Sequence, residues 1–176
     1  TQLNPDGSRH RGGYSNGLRE GPGEMIMSNG DRFDGHYRRG MMSGEGKIFY
    51  ENGDKYEGGF LNDRRAGKGI LLFGDDVRYE GDFDFGEPSS EGTYYYSDGS
   101  EYKGEARKGV WDGKGKLTKP DGTVYEGDFS DGQMSGQGKF LFANGNSYEG
   151  GFIQGKREGF GVYFYGEGER YEGESV

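Results

Sequence analysis

Cysteine is absent from this chain, which excludes disulfides and thiolate metal sites, although it does not fix the compartment. Only 4 prolines and 1 tryptophan occur in 176 residues. Long apolar runs are missing too, and Leu, Ile, Val and Phe together make up about 16% of the chain. In a non-repetitive acidic chain that level would read as disorder. Positive charge is in the minority, with 22 Lys and Arg against 31 Asp and Glu and a net charge of −9. That balance disfavours nucleic acid, whose affinity comes largely from Lys and Arg displacing counterions. It also weakens attraction to anionic lipid. There is no signal peptide and no N-x-Ser/Thr acceptor, so the default expectation is a soluble, cytoplasmic setting.

What the chain has in excess is glycine and aromatic residues: 39 Gly, 14 Tyr and 12 Phe. They are placed periodically. YEGGF stands at Tyr56–Phe60 and Tyr148–Phe152, and YEGDF at Tyr79–Phe83 and Tyr125–Phe129. The opening position recurs every 23 residues, at His10, Phe33, Tyr56, Tyr79, Tyr102, Tyr125, Tyr148 and Tyr171. Of the 39 glycines, 34 fall at five fixed places in this unit. A coil has no use for such a period; it indicates a solenoid-like array. Both ends fall inside a unit, which reads as a piece of a longer array.

Helices are implausible, because each interior Gly costs about 1 kcal/mol relative to Ala. Aromatic-rich alternation bounded by Asn-Gly and Asp-Gly reads as antiparallel hairpins. "NPDG" at Asn4–Gly7, "KPDG" at Lys119–Gly122, and the equivalent Glu51–Gly53 and Ala143–Gly145, fit a type I turn with a left-handed Gly, a three-residue loop. That loop length sets the register. It puts Lys47 opposite Glu57, Lys68 opposite Asp82, Lys114 opposite Asp128, Lys116 opposite Glu126 and Lys139 opposite Glu149, with Glu91 facing Glu105 as an exception. The same register makes neighbours of the glycines two and thirteen residues after each opening aromatic. A row of Gly then crosses the sheet, and rings lean over it to cover the bare backbone. The expected fold is all-β: an elongated single-layer antiparallel meander, about two strands per 23-residue unit.

The pattern Y-E-G-x-F-x-x-G-x-x-x-G-x-G-x-x-x-x-x-x-G resembles the MORN repeat (membrane occupation and recognition nexus), most fully at Tyr125–Ser147. The resemblance covers essentially all of 1–176 as one array, with units starting at 10, 33, 56, 79, 102, 125 and 148 and partial units at both ends. It implies a grooved sheet and a scaffold in cytoskeletal, ciliary or membrane-contact structures, or a protein-binding module attached to an enzyme. Departures concentrate in the middle: Ala106 replaces the second aromatic, Ser90 a framework Gly, and Asp63 and Asp76 turn glycines. Local irregularity is expected over roughly 79–124.

Catalysis finds little support. His10 takes a slot otherwise aromatic, His36 belongs to the opposite face, and the carboxylates recur with the repeat opposite lysines. "GDFDFG" at Gly81–Gly86 lacks the Gly and Glu positions of an EF-hand loop, and "GMMSGEGK" at Gly40–Lys47 lacks phosphate-loop spacing. No catalytic residue, metal or cofactor is therefore assigned. Binding surfaces are better motivated. An aromatic groove is expected from Tyr37, Tyr56, Phe60, Tyr79, Phe83, Tyr102, Tyr125, Phe129, Tyr148 and Phe152, whose rings would either clasp a helical or extended partner segment or serve only to cover glycine. Off-pattern Met41, Met42, Phe85, Val110, Trp111 and Met134 are expected at a loop rim, with the alternative that Trp111 folds back into the space left at Ala106. On the opposite face stand Ile26, Phe49, Leu72, Tyr95, Leu141 and Phe164, either covered by the stems of Arg32, Lys55, Arg78 and Arg170 or forming a second contact face. The resulting expectation is a non-enzymatic scaffold for protein partners, cytoskeleton- or membrane-associated, whose open edge strands also permit self-association. A phosphoinositide or membrane-surface module and the regulatory module of a larger enzyme are the alternatives.

Overall fold

The structure is a computed structural model that describes residues 1–74, 76–89, 92–107, 109–166 and 168–175. Among these residues there are 17 strands and no helix. They divide into two compact units, Thr1–Ser89 and Ser90–Val176. The first holds β1 (Gln2–Leu3), β2 (Arg9–Ser15), β3 (Leu18–Ile26), β4 (Arg32–Arg38), β5 (Met41–Phe49), β6 (Lys55–Leu61), β7 (Arg64–Leu72), β8 (Arg78–Asp84) and β9 (Glu87–Pro88). The second holds β10 (Thr93–Tyr95), β11 (Glu101–Arg107), β12 (Val110–Thr118), β13 (Val124–Ser130), β14 (Gln133–Leu141), β15 (Ser147–Ile153), β16 (Lys156–Phe164) and β17 (Arg170–Ser175). Within each unit every strand pairs antiparallel with the next in sequence, as in β6 with β7 and β14 with β15. Apart from the terminal β1, the shortest strands are β9 and β10, which lie inside the stretch expected to be irregular; Pro88 has no N–H to give a ladder. Ser90 and Glu91, and with them the expected Glu91–Glu105 pairing, lie outside the described residues.

Two turn types alternate. Between 23-residue repeats the loop is three residues long, as where Tyr50 donates its N–H to the Asp54 carbonyl and Gly53 to the Tyr50 carbonyl, each at 3.0 Å, with Gly53 at φ 95°. Successive turns are clasped together, for Asp31 Oδ1 accepts from the Glu51 N–H and Asp54 Oδ1 from the Gly74 N–H, both at 2.9 Å. Inside a repeat the turn has only two residues, both at positive φ, as at Asn16–Gly17 (50° and 77°) and Asp131–Gly132 (48° and 77°). This is the primed hairpin turn, whose twist matches that of its strands.

All five expected cross-strand pairs form: Lys47–Glu57, Lys68–Asp82, Lys114–Asp128, Lys116–Glu126 and Lys139–Glu149, at 2.6–3.9 Å. Being exposed, each adds at most about 1 kcal/mol. They report register more than they hold the sheet.

The glycine row does more. Gly58 faces Gly69, Gly46 faces Gly58, and Gly127 faces Gly138. A ring lies directly over each pair: a Cβ added at Gly69 would stand 2.5 Å from the Tyr56 ring, and one at Gly138 2.5 Å from that of Tyr125. Each ring is in turn met edge-on by two others. Tyr56 meets Phe60 at 5.2 Å and Phe83 at 4.8 Å, and Tyr125 meets Phe129 at 5.0 Å and Phe152 at 4.9 Å. Such edge-to-face pairs are worth roughly 0.5–1.5 kcal/mol each beyond their buried area. This ladder of rings is the core of each unit.

A buried phenol hydroxyl needs a partner, and for most of the ladder tyrosines the backbone supplies it, the Tyr37 hydroxyl being buried without one. Tyr56 donates to the Gly59 carbonyl, Tyr79 to Asp82 and Tyr125 to Asp128, all at 2.9 Å. Burial raises the phenol pKa of Tyr37, Tyr56 and Tyr125 from 10 to about 12. Because the folded pKa exceeds the unfolded value, this stability is fully present below about pH 10 and is lost as pH rises through about 12. Thermal melts across that range, with phenolate absorbance followed in parallel, should show the midpoint falling as buried phenols ionise.

His10 stands at the ladder's first rung and is buried. Its Nδ1 lies 3.0 Å from the Tyr14 hydroxyl, while Nε2 has no hydrogen-bond partner. Burial, with Arg19 nearby, lowers its pKa below the usual 6.5. A depressed histidine contributes stability that is present above about pH 6.5 and lost as pH falls through the folded value. His10→Tyr would place a hydroxyl where equivalent tyrosines reach the carbonyl three residues on, here that of Gly13. The expected result is a gain of about 1 kcal/mol in denaturant titrations and loss of the acid sensitivity that His10 should confer as pH falls below about 6.5.

Candidate functional site

The ten residues expected to line the groove, Tyr37, Tyr56, Phe60, Tyr79, Phe83, Tyr102, Tyr125, Phe129, Tyr148 and Phe152, do share one face of the sheet in their units. They are only 0–5% exposed. They are therefore core, and the surface of the ring face is made by a further set of side chains lying over them.

Part of that layer comes from residues expected at a loop rim. Met41 and Met42 begin β5, Val110 and Trp111 begin β12, and Met134 belongs to β14, so none of them is a loop residue. The reason is the two-residue turn, which lets the returning strand start at once. Only Phe85 sits in a turn, at φ 48° and 77% exposed. Met42 is buried against the ladder, opposite Tyr37. Trp111 folds back opposite Ala106, stacks on Tyr102 at 4.8 Å and donates Nε1–H to the Tyr96 hydroxyl at 2.6 Å. It fills the place of the missing second aromatic.

The rest of the layer comes from two positions the repeat pattern did not single out. Seventeen residues after each opening aromatic, just ahead of the three-residue turn, stand Met27, Tyr50, Phe73, Tyr96, Lys119, Phe142 and Tyr165. All but Lys119 and Tyr165 are half-buried. Nine residues after the opening aromatic, Arg19, Arg65 and Arg157 lie over rings of the ladder. Arg19 covers Tyr37 at 4.9 Å and donates to the Gly40 carbonyl at 2.6 Å. Arg65 covers Phe83 at 5.2 Å and donates to the Gly86 carbonyl at 2.9 Å. The signal for the first set was present in phrases such as "IFYENG" and "FLFANG", where an aromatic precedes the turn.

The second unit carries a half-open apolar part of this face. Phe140 touches Phe142 at 4.8 Å, Phe142 stacks on Tyr163 at 6.0 Å, and Arg157 lies 5.0 Å over Tyr163. Met134, Phe140, Phe142, Phe152, Gly155, Lys119, Lys156 and Arg157 surround a hollow of about 480 Å³. The corresponding face of the first unit has a hollow of about 530 Å³ near its start, lined largely by polar groups including Asp6, Ser8, Arg19, Arg39 and Asp63.

On the opposite face, Ile26 pairs with Arg32, Phe49 with Arg32 and Lys55, and Leu72 with Lys55 and Arg78. The Arg32 guanidinium lies 5.7 Å from the Phe49 ring. Ile26, Phe49, Leu72 and Leu141 are nevertheless about two-fifths exposed (36–42%), and Tyr95 and Phe164 are half-buried. The basic stems cover this row in part only. His36 is exposed, and among the described residues no three His, Asp or Glu side chains stand together as a metal site would require.

The MORN repeat family model matches seven consecutive stretches, 10–32, 33–55, 56–78, 79–101, 102–124, 125–147 and 148–170. No curated protein sequence matches significantly. Among solved structures, the chain is similar to the SAS-4 (dCPAP) TCP domain of Drosophila melanogaster in complex with a proline-rich motif of Ana2 (dSTIL), with a TM-score of 0.57 at 14% identity over 100% of this chain and 95% of that one. It is also similar to the G-box domain of the microcephaly protein CPAP, for which a role in centriole elongation has been suggested, with a TM-score of 0.52 at 15% identity over 99% and 97% of the two chains. At these identities the likeness is one of fold.

Proposed function

The chain belongs to the MORN-repeat family, and from that premise we propose that it is a non-catalytic scaffold whose ring face holds a helical or extended segment of a protein partner. The observation that carries this reading is the half-open layer of Phe140, Phe142 and Tyr163 lying on a fully buried ladder. Rings held rigidly from below lose little entropy when a partner covers them, which is what makes aromatic anchors effective. A similar fold presents a surface to a proline-rich segment in the SAS-4 complex, which supports the same use of this sheet. Association with a cytoskeletal assembly in the cytoplasm is part of the proposal. Among the described residues no helix is long and apolar enough to cross a membrane.

Crosslinking mass spectrometry in cell extract tests the reading, comparing the wild type with Phe142→Ser/Tyr163→Ser. Both rings are half-buried, so the variant should keep its fold by circular dichroism and lose the partner crosslinks. An unchanged set of partners would contradict the assignment of this face.

A further inference from the structure

We infer that the hollow on the ring face of the second unit selects an acidic partner segment, one in which a large apolar side chain is flanked by carboxylates. This rests on the proposed role of the ring face and adds the chemistry of what it takes.

The floor of the hollow is apolar, made by Met134, Phe140, Phe142 and Phe152. Its wall carries Lys119, Lys156 and Arg157 and no carboxylate. In a chain with 31 acidic residues against 22 basic ones, three cations around one apolar floor are a local reversal of sign. Lys119 is also a departure from the repeat, a cation where the equivalent positions hold Met27, Tyr50, Phe73, Tyr96, Phe142 and Tyr165. Five lysines elsewhere in the sheet are paired across strands, as Lys114 is with Asp128 at 2.8 Å and Lys139 with Glu149 at 2.6 Å. Lys55 and Lys103 form no ion pair among the described residues, but the hollows they line also hold a carboxylate, Glu57 or Glu126. Lys119, Lys156 and Arg157 form no such ion pair among the described residues. Lys119 acts electrostatically on Asp98 and Asp121, whose carboxylates accept the N–H groups of Ser100 and Thr123 at 2.8 Å.

The geometry suits carboxylates. The Arg157 guanidinium lies 5.9 Å over Phe142, 5.7 Å over Tyr148 and 5.0 Å over Tyr163. A guanidinium supported on rings presents a planar donor fork, which pairs two-pronged with a carboxylate. The apolar floor then accepts the side chain between the acids, with Met134 adjusting to its shape. A protein segment is favoured over an anionic membrane because the cations are confined to one hollow. A bilayer would also meet the rest of a chain of charge −9, which it repels.

Selection from a random peptide library on the wild-type chain tests this, followed by fluorescence anisotropy of the best peptide. The expected peptides carry Asp or Glu on both sides of a Phe, Trp or Leu. Replacing those acids by Asn and Gln should weaken binding by about tenfold or more, as should Lys119→Glu/Lys156→Glu/Arg157→Glu, and high salt should weaken it as well. Lys119 and Lys156 are exposed while Arg157 also packs on rings, so Lys119→Glu/Lys156→Glu, which keeps that stacking, should melt like the wild type and still weaken binding. Enriched peptides without acids, bound equally by the charge-reversed chain but lost in Phe142→Ser/Tyr163→Ser, would overturn the charge selection and leave the ring-face reading standing. Failure to enrich any peptide, with pelleting on phosphatidylserine vesicles that the charge reversal abolishes, would overturn it in favour of a lipid headgroup.

Discussion

Tyr56→Ala is expected to destabilise the first unit by about 3–5 kcal/mol, the range for removing a buried aromatic side chain. Several losses coincide at this position. The ring is 1% exposed and lies over Gly58 and Gly69, which have no side chains of their own to fill the space. It is the shared partner of Phe60 and Phe83, so its removal breaks the ladder between two successive repeats. The Gly59 carbonyl also loses its hydroxyl donor. Tyr56→Phe should cost only about 1 kcal/mol, because it deletes the hydrogen bond alone. Urea denaturation of the two variants separates ring from hydroxyl. In an array of repeats the damage stays local at first, so hydrogen exchange should open β6 and β7 before the second unit.

Gly58→Ala is expected to cost about 3 kcal/mol, at the upper end of overpacking, although it adds one methyl group. The new carbon would stand 2.5 Å from the Gly69 Cα and 2.6 Å from the Lys68 carbonyl oxygen. Both are backbone atoms of the neighbouring strand, so relief requires the strands to separate. Gly67→Ala makes a useful contrast. There the added carbon meets nothing within 4 Å, but φ is +67°. Its cost is conformational alone, on the order of 1–2 kcal/mol. Denaturant titration of the pair distinguishes glycines kept for space from glycines kept for backbone freedom.

Much of this fold was legible in the sequence because its determinants are local. Turn residues such as Asn52-Gly53 fix the loop length, the loop length fixes the register, and Lys47 opposite Glu57 or Lys139 opposite Glu149 confirms it. The glycine row and the rings over it follow without long-range information. The surface was less legible. Periodicity assigns Tyr125 and Phe152 to one face, yet it does not say how much of that face other side chains cover; Phe140 stacks on Phe152 and, with Met134 and Phe142, lines the hollow and changes which atoms a partner meets. Met42 leaves the expected rim because the turn inside each repeat is two residues long, whereas Trp111 takes the alternative expected for it, the space left at Ala106. Arg65 and Arg157 looked like ordinary charges in the sequence, since stacking on a ring depends on a side-chain direction that spacing alone does not give.

The interaction between ring and glycine can be measured directly with a double-mutant cycle on Tyr56 and Gly69. The three atoms nearest to a Cβ at Gly69 all belong to the Tyr56 side chain, at 2.5–2.7 Å. Gly69→Ala should therefore be costly in the wild type and nearly neutral in the Tyr56→Ala background, with a coupling of about 1–3 kcal/mol. Strictly additive costs would mean that the ring does not lie on the glycine, and the structural account would be contradicted.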